Sequence, residues 1–403
     1  MTALVDAAAW KVVRLGDVVT LQRGFDLPNS ERLAGTVPVV SSSGVTGTHS
    51  LAKVNAPAVV TGRYGTLGEV FYLTEACWPL NTTLFVRDFH GNDPRFCHYF
   101  LQAQNLGVHD GGAAVPGINR NVVHELPVRV PPLATQRKIA AILSAYDDLI
   151  ENNSRRIRIL EEMAERIYHE WFLNFRYPGY EGVPLVDSEL GSIPVGWRVS
   201  PLRVLCEYVA DGDWIESKDQ GGDDYRLLQV ANIGVGCFRE TGTYRFIGAE
   251  TFDRLRCTEV CVGDVLVSRM PDPVGRAWFV DRLGERAITA VDVAIARPRA
   301  VSGRFLAFTL NSATLLRYAA QRASGTTRAR ITRKDLERFP VLVADPSVQA
   351  RFTEVLERLG ELTTTMRVQT VRLTAGRDLL VPRLISGAVD VEDLDIPTGE
   401  AAS

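Results

Sequence analysis

The residues best suited to chemistry lie in three sets of loops. The first, Thr61-Gly62-Arg63-Tyr64-Gly65-Thr66-Leu67-Gly68, follows an apolar run and combines glycines with one arginine and one tyrosine. Glycine lets backbone amides approach a phosphate, and an arginine fork pairs with phosphate oxygens or with the outer edge of guanine. A plain β-turn accounts for the same glycines. A matching stretch, Ser268-Arg269-Met270-Pro271-Asp272-Pro273-Val274-Gly275-Arg276, recurs later in the chain. The second set pairs Gly111–Arg120, which ends in Asn119-Arg120, with Ser324–Lys334. Arg322, Arg328, Arg330, Arg333 and Lys334 crowd together there, as a phosphate-binding surface requires, although a solvated charged face has the same composition. The third set, Ser41-Ser42-Ser43 and Asn81-Thr82-Thr83, offers short polar side chains of the kind that touch base edges or sugars. The candidate nucleic-acid contacts are therefore Arg63, Tyr64, Thr66, Asn81, Asn119, Arg120, Arg269, Arg276, Arg328, Arg330, Arg333 and Lys334.

Catalytic signatures are missing. The chain has no GxxxxGK[ST] phosphate loop, no GxGxxG after a strand, no His-Glu-x-x-His and no Asn/Asp-Pro-Pro-Tyr/Phe tetrapeptide. Asp213, Glu216 and Lys218 faintly resemble a nuclease carboxylate–lysine cluster. Their spacing is cramped, and a solvated acidic loop from Asp211 to Asp224 is the simpler account. Cys77, Cys97, Cys206, Cys237, Cys257 and Cys261 form no CxxC pair, and every histidine precedes residue 170, so no zinc pattern closes. The expectation is a binding protein with no catalytic residue, no bound metal and reduced, mostly buried thiols.

The loops are carried by a long internal repeat. Gly112, Ile118, Arg120, Leu126, Pro127 and Val130 recur as Gly325, Ile331, Arg333, Phe339, Pro340 and Val343, all at one offset. The offset persists from Gln136 to Gln349, Leu143 to Leu356, Leu149 to Leu362 and Leu160 to Leu373. Earlier matches drift, as from Trp10 to Trp197, so insertions fall in the globular parts and not in the helices.

Two helices are the clearest elements. Between Leu133 and Phe172 there is no Pro or Gly, and apolar residues step by four and three through Ile139, Leu143, Tyr146, Ile150, Asn153, Ile157, Leu160, Ala164, Ile167 and Trp171. That is a coiled-coil seam, with Asn153 as its one polar position, and such a helix spans roughly 57 Å. The second helix is expected from Pro346 to about Val381. Its seam is Phe352, Leu356, Leu359, Met366, Leu373 and Leu380, interrupted by Thr363, Thr370 and Arg377. Strands are expected at Ala58–Val60, Thr83–Val86, Val128–Val130, Val265–Val267, Val293–Ala296 and Val341–Val343. Shorter helices are expected at Pro94–Gln104 and, as its counterpart, Gly303–Arg322.

The fold class is mixed α/β: two globular α/β domains and two long coiled-coil helices, each the natural partner of the other, in an internal repeat. The expected parts are a first domain at 1–131, a first helix at 132–175, a linker without periodicity at 176–196, a second domain at 197–344, a second helix at 345–387 and a flexible tail at 388–403.

Composition sets bounds. The chain has 403 residues, 46% hydrophobic and 23% charged, which suits a core-forming protein of two or three domains. It lacks an apolar run of membrane-spanning length and a basic n-region before an apolar core, so no membrane association and a cytoplasmic location are expected. Net charge is −3, but acid excess concentrates in the helical segments and basic excess in the second domain. Arginines number 40 against five lysines, from a taste for bidentate phosphate pairing or from a GC-rich genome.

The ordered set of motifs resembles one family. Trp10-x4-Leu15-Gly16-Asp17, Gly62-Arg-Tyr-Gly-Thr-Leu-Gly68, Asn119-Arg-Asn-Val-Val-His-Glu-Leu-Pro127, Val130-Pro-Pro-Leu-Ala-Thr-Gln-Arg-Lys-Ile139 and Ser188-Glu-Leu-Gly-Ser-Ile-Pro-Val-Gly-Trp197 are similar to the specificity subunit of type I restriction–modification enzymes. The resemblance covers nearly the whole chain. It implies a non-catalytic subunit in which each domain reads one half of a split double-stranded DNA target, in half-sites about 34 Å apart. The two target-recognition domains would be joined by the helices, packed antiparallel in a pseudo-two-fold arrangement, which would set the spacing and dock two modification subunits that bind S-adenosylmethionine and methylate adenine. Restriction subunits would bring ATP and Mg for translocation and cleavage in defence against foreign DNA. The sequence departs from the family pattern at Arg269–Gly275. A stand-alone DNA-binding regulator and a non-DNA coiled-coil scaffold remain alternatives.

Overall fold

The computed structural model describes residues 10–108, 117–325 and 328–398. Those residues form two compact units, one from the described residues up to Arg156 together with those from Met366 on, and the other from Ile157–Thr365. Both divisions fall inside the long helices.

The first globular part runs β1 (Lys11–Arg14), α1 (Leu15–Val18), β2 (Thr20–Arg23), β3 (Val37–Ser41), β4 (Gly44–His49), β5 (Ala58–Gly62), β6 (Val70–Leu73), β7 (Trp78–Pro79), β8 (Thr83–Asp88), α2 (Pro94–Ala103), α3 (Arg120–His124) and β9 (Pro127–Val130). The long helix α4 (Leu133–Tyr168) follows, ending in a π-turn at His169–Leu173. Next comes a hairpin of β10 (Leu185–Ser188) and β11 (Gly191–Pro194). The stretch expected to be an irregular linker is therefore partly a paired hairpin.

The second globular part runs β12 (Arg198–Pro201), α5 (Leu202–Leu205), β13 (Cys206–Ala210), β14 (Tyr225–Leu228), β15 (Phe246–Ile247), α6 (Ala249–Leu255), β16 (Val265–Ser268), β17 (Ala277–Phe279), β18 (Ala287–Thr289), β19 (Val293–Pro298), α7 (Gly303–Leu310), α8 (Ala313–Arg322), α9 (Arg333–Glu337) and β20 (Pro340–Val343). The second long helix is α10 (Pro346–Ile385).

The repeat is topological as well as sequential. Strand order β2-β8-β5-β6 in the first part is matched by β13-β19-β16-β17 in the second, and β4-β3-β7 by β15-β14-β18. The opening pairs agree in register: Lys11 faces Val130 and Arg14 faces Pro127, while Arg198 faces Val343 and Pro201 faces Pro340. The repeat also explains Gln136 and Gln349. Their amides donate to Pro131 O at 2.9 Å and Ala344 O at 2.7 Å, closing the carbonyl ahead of each long helix.

One expected helix is two. Asn311 donates to Ala277 O at 2.8 Å and accepts from Ala277 N at 2.9 Å, which fixes a break after α7. Ser312 then caps α8 through Leu315 N.

Within the first unit, Leu15, Phe96, Phe100, Ile118, Val128 and Val130 pack with Ile139 and Leu143 of α4 and with Val381, Leu384 and Ile385 of α10. The two helices run in opposite directions there: Tyr146 lies against Gly376, and Lys138, a few turns back, donates to Glu392 O at 2.6 Å. Arg377, an interruption in the apolar seam, reaches Asp147 of α4 at 2.7 Å. Thr370, another interruption, donates to Met366 O at 2.9 Å, so its hydroxyl is satisfied within its own helix. Within the second unit, Tyr168 and Phe172 stack and meet Phe352 of α10, over a core of Leu202, Leu205, Val265, Phe305 and Phe339. Thr363 there donates to Leu359 O at 2.8 Å.

The expected seam residues are buried or half-buried throughout, Asn153 among them. Two helix-end expectations are corrected. α10 passes through Pro382 to Ile385, held by burial of Leu384 and Ile385. The segment after it is not a free tail, because Val391 is buried in the first unit's core. Among the described residues no helix is long and apolar enough to cross a membrane.

Candidate nucleic-acid interface

In the first unit the glycine-rich loop joins β5 to β6. Its backbone is pinned at its start, where Arg63 N and Tyr64 N donate to Thr82 O at 2.8 and 3.1 Å and Ile118 N donates to Arg63 O at 3.0 Å, and Gly62 N closes the loop by donating to Glu69 O at 3.3 Å. Two glycines are sterically required. A Cβ on Gly62 would sit 1.9 Å from Thr66 O, and one on Gly117 would sit 2.2 Å from the Tyr64 ring. The Arg63 guanidinium lies 4.4 Å over the Tyr64 ring and donates to its hydroxyl at 3.2 Å. Among the described residues no carboxylate pairs with it, so the charge is held by stacking and stays available.

Around this pair the fold gathers several expected residues. Thr66 is exposed at the loop tip. The β3–β4 turn abuts the loop, with Ser42 Oγ 3.2 Å from where a Gly65 Cβ would lie. Ser41 and Ser43 bond each other across that turn at 3.0 Å. Asn119 caps α3 through Asn121 N and is exposed two residues beyond Gly117, with Arg120 exposed beside it. Asn81 is half-buried and its amide is bound to Asp26. The stretch 111–116 lies outside the described residues.

The second unit has the same frame and a different outcome. Arg269 N donates to Asp292 O at 2.9 Å and Ile331 N donates to Arg269 O at 3.0 Å, so Arg269 is the positional equivalent of Arg63. Its side chain turns inward. Arg269 is 6% exposed, donates to Ile331 O at 3.0 Å and Val291 O at 3.3 Å, and pairs with Asp211. Burial lowers its pKa. Arg276 is 3% exposed and spends its whole fork on backbone carbonyls: Ile233 at 2.6 Å, Val230 and Met270 at 2.9 Å, Pro273 at 3.0 Å. These two residues were expected on the binding surface and are instead interior braces. The physical reason is local charge: Asp211 continues the strand where the first unit has Arg23, and a buried guanidinium without such partners would be too costly.

The remaining cations of the second unit stay near the surface. Arg328 and Lys334 are exposed. Arg330 Nε lies 2.8 Å from Asp292, and Arg333 lies 3.3 Å from Glu337 and 3.9 Å from Asp211. The acidic loop places Asp213 half-buried, accepting from Thr258 N at 3.1 Å, and burial raises its pKa to about 6. Lys218 instead pairs with Glu216 at 2.8 Å, so the three residues do not converge as a nuclease cluster would. Among the described residues no group of three His, Cys, Asp or Glu side chains is placed to hold a metal ion.

One element escaped the sequence reading. The short turn after β3 becomes, after β14, the long segment 229–245, which carries Arg239, Tyr244 and Arg245 at the surface. The drifting repeat offset was its only signal.

A family model described as type I restriction modification DNA specificity domain matches residues 8–162. The chain is 22% identical over 342 residues to the specificity subunit of the type I restriction enzyme MjaIX of Methanocaldococcus jannaschii, covering 80% of this chain and 76% of that protein. It is 20% identical over 412 residues to the MjaVIII specificity subunit of the same organism, covering 96% and 94%. Among solved structures, the S subunit of a type I restriction–modification system from M. genitalium shares the fold with a TM-score of 0.63 at 14% identity, over 93% of this chain and 96% of that one.

Proposed function

We infer, for a chain that belongs to the DNA specificity subunits of type I restriction–modification enzymes, that each globular part reads one half of a split double-stranded target. The observation that carries this is the duplicated topology, in which the same two sheets recur in the same strand order. A non-catalytic subunit of this kind selects sequence and leaves the chemistry to its partners. We assign α4 and α10 the spacer role and the docking of two modification subunits. S-adenosylmethionine would belong to those subunits, and ATP with Mg to restriction subunits that join the complex. A base flipped for methylation would enter the partner's pocket and not this chain.

The test is co-expression and co-purification with a type I modification subunit of the same host, followed by genome-wide mapping of methylated adenine. The expected result is a complex of one specificity and two modification subunits that methylates one split sequence. A chain that purifies alone and binds a site tightly without partners would replace this reading with a regulator. A chain with no salt-dependent DNA affinity would replace it with a scaffold.

A further inference from the structure

We propose that the two units read their half-sites with different elements: the first with the Arg63–Tyr64 loop, the second with the surface of segment 239–245. This rests on the DNA-reading function above.

The argument begins with the equivalence of Arg63 and Arg269, which hold the same backbone positions. Base readout needs a donor fork that is free to leave its own protein. Arg63 stacks on Tyr64 and is free in that sense. Arg269 is enclosed, paired with Asp211 and bonded to two carbonyls. Withdrawing it would break all three contacts, so the second unit cannot use this position as the first does.

The replacement surface lies next door. Arg276 joins the 270–273 loop to the base of the inserted segment through Met270, Pro273, Val230 and Ile233. In the first unit the corresponding neighbour of the loop is the Ser42 turn. The insertion thus emerges where the first unit already places polar side chains beside its arginine.

The segment is also built rigidly. Gly236 N donates to Ala277 O at 2.9 Å, Arg239 N to Asn232 O at 2.8 Å and Leu227 N to Arg245 O at 2.8 Å. Beneath it, Arg226 is held by Glu240 at 2.6 Å and Glu285 at 3.0 Å and lies 4.6 Å from the centre of the Tyr244 ring. Tyr244 is nevertheless 55% exposed. Arg239 and Arg245 are exposed, and among the described residues neither is paired with a carboxylate. Arg245 Nε and Nη1 rest on the Gln229 side chain at 3.1 Å, an exchangeable neutral partner that does not engage Nη2. Two forks without a carboxylate and a braced aromatic ring on a fixed backbone make a pre-organised reading surface, which lowers the ordering cost of binding.

The experiment uses the assembled complex with its modification subunits and a DNA library randomised in both half-sites. Methylation preference is measured for wild type and for Arg239→Ala, Tyr244→Ala, Arg245→Ala and Arg63→Ala, with melting temperature as the folding control. The three segment variants are expected to lose about ten- to a hundredfold discrimination in one half-site only, at unchanged melting temperature. Arg63→Ala is expected to do the same in the other half-site. Arg239→Lys separates base reading from phosphate contact, since an ammonium restores a phosphate contact but not a bidentate base contact. Wild-type preference retained by all three segment variants would overturn the proposal while leaving the family function intact. Restoration by Arg239→Lys would overturn base reading by Arg239. A wild-type complex that methylates no split sequence would instead overturn the function on which the proposal rests.

Discussion

Arg63 and Arg269 occupy one position in two copies of a fold, and the structure assigns them opposite consequences when replaced. Arg269→Gln removes a buried guanidinium from Asp211, Ile331 O and Val291 O. Breaking a buried ion pair by deleting one partner costs about 3–5 kcal/mol. Asp211 softens this, because its side chain is 37% exposed and Arg333 remains 3.9 Å away. A loss of about 2–3 kcal/mol follows, which for a unit of this size lowers the melting temperature by about 4–12 °C. Arg63→Gln touches a half-exposed side chain whose bonding partner is its own neighbour, so the stability change stays within about 0.5 kcal/mol. Calorimetry on both variants, with methylation mapping of the assembled complexes, separates the effects. Arg269→Gln should lower the melting temperature, and Arg63→Gln should change sequence preference without lowering it. Adding Asp211→Asn to Arg269→Gln should recover part of the loss, since the stranded carboxylate is then neutral. Equal melting temperatures for Arg269→Gln and wild type would refute the brace assignment.

Three further outcomes are expected. Arg328 is exposed; Arg328→Ala should weaken DNA binding for all sequences and reduce the slope of log K against log salt by about 1, and an unchanged slope would exclude a phosphate contact. His98 is half-buried beside Arg95, and its desolvation there drives its pKa down from 6.5 to about 4. The unfolded chain therefore binds this proton first as pH falls, so stability is flat above neutrality and declines between pH 6.5 and 4, by at most about 3 kcal/mol. His98→Gln should flatten that dependence, measured as denaturant midpoints at pH 7 and 5; parallel curves would show that His98 does not set it. Ending the chain after Thr365 removes Val381, Leu384, Ile385 and Val391 from the first unit's core. At about 1.5–3 kcal/mol each, this approaches a domain's entire stability, so the first unit's melting transition should vanish while that of Ile157–Thr365 persists.

Periodicity carried the fold well. The seam from Ile139 to Ile167 and from Phe352 to Leu380 was legible because a heptad pattern reports which face is buried without knowing what covers it. The repeat was legible because Gln136 and Gln349, or Pro127 and Pro340, perform the same local task twice. What failed depended on distant partners. Thr363 and Thr370 looked like breaks in the seam, but a hydroxyl in a helix satisfies itself on the carbonyl four residues back. The hairpin within 176–196 is fixed by pairing of Leu185 with Pro194 and of Ser188 with Gly191, which no period within either strand announces. Arg269 and Arg276 looked like surface cations because charge density is a property of a sequence window, whereas burial depends on what folds back. Asp211, which neutralises Arg269, lies 58 residues upstream.

That last case shows how a duplicated reader diverges without losing its frame. The backbone bonds that place Arg63 and Arg269 involve no side chain of either residue, so the loop keeps its position whatever its side chain does. Asp211, with the carbonyls of Ile331 and Val291, then holds the arginine inward, where it braces the core and is nearly removed from solvent. The surface left vacant does not need a new fold, only a longer connection between strands that are already paired, and residues 229–245 supply it. Insertions tolerated at such a connection cost little in loop entropy, since the penalty grows only with the logarithm of length. A globular part can therefore change the connection it exposes while its opening strand pair and the two helices remain unaltered, which is why the repeat offset drifts in the globular parts and holds constant along the helices.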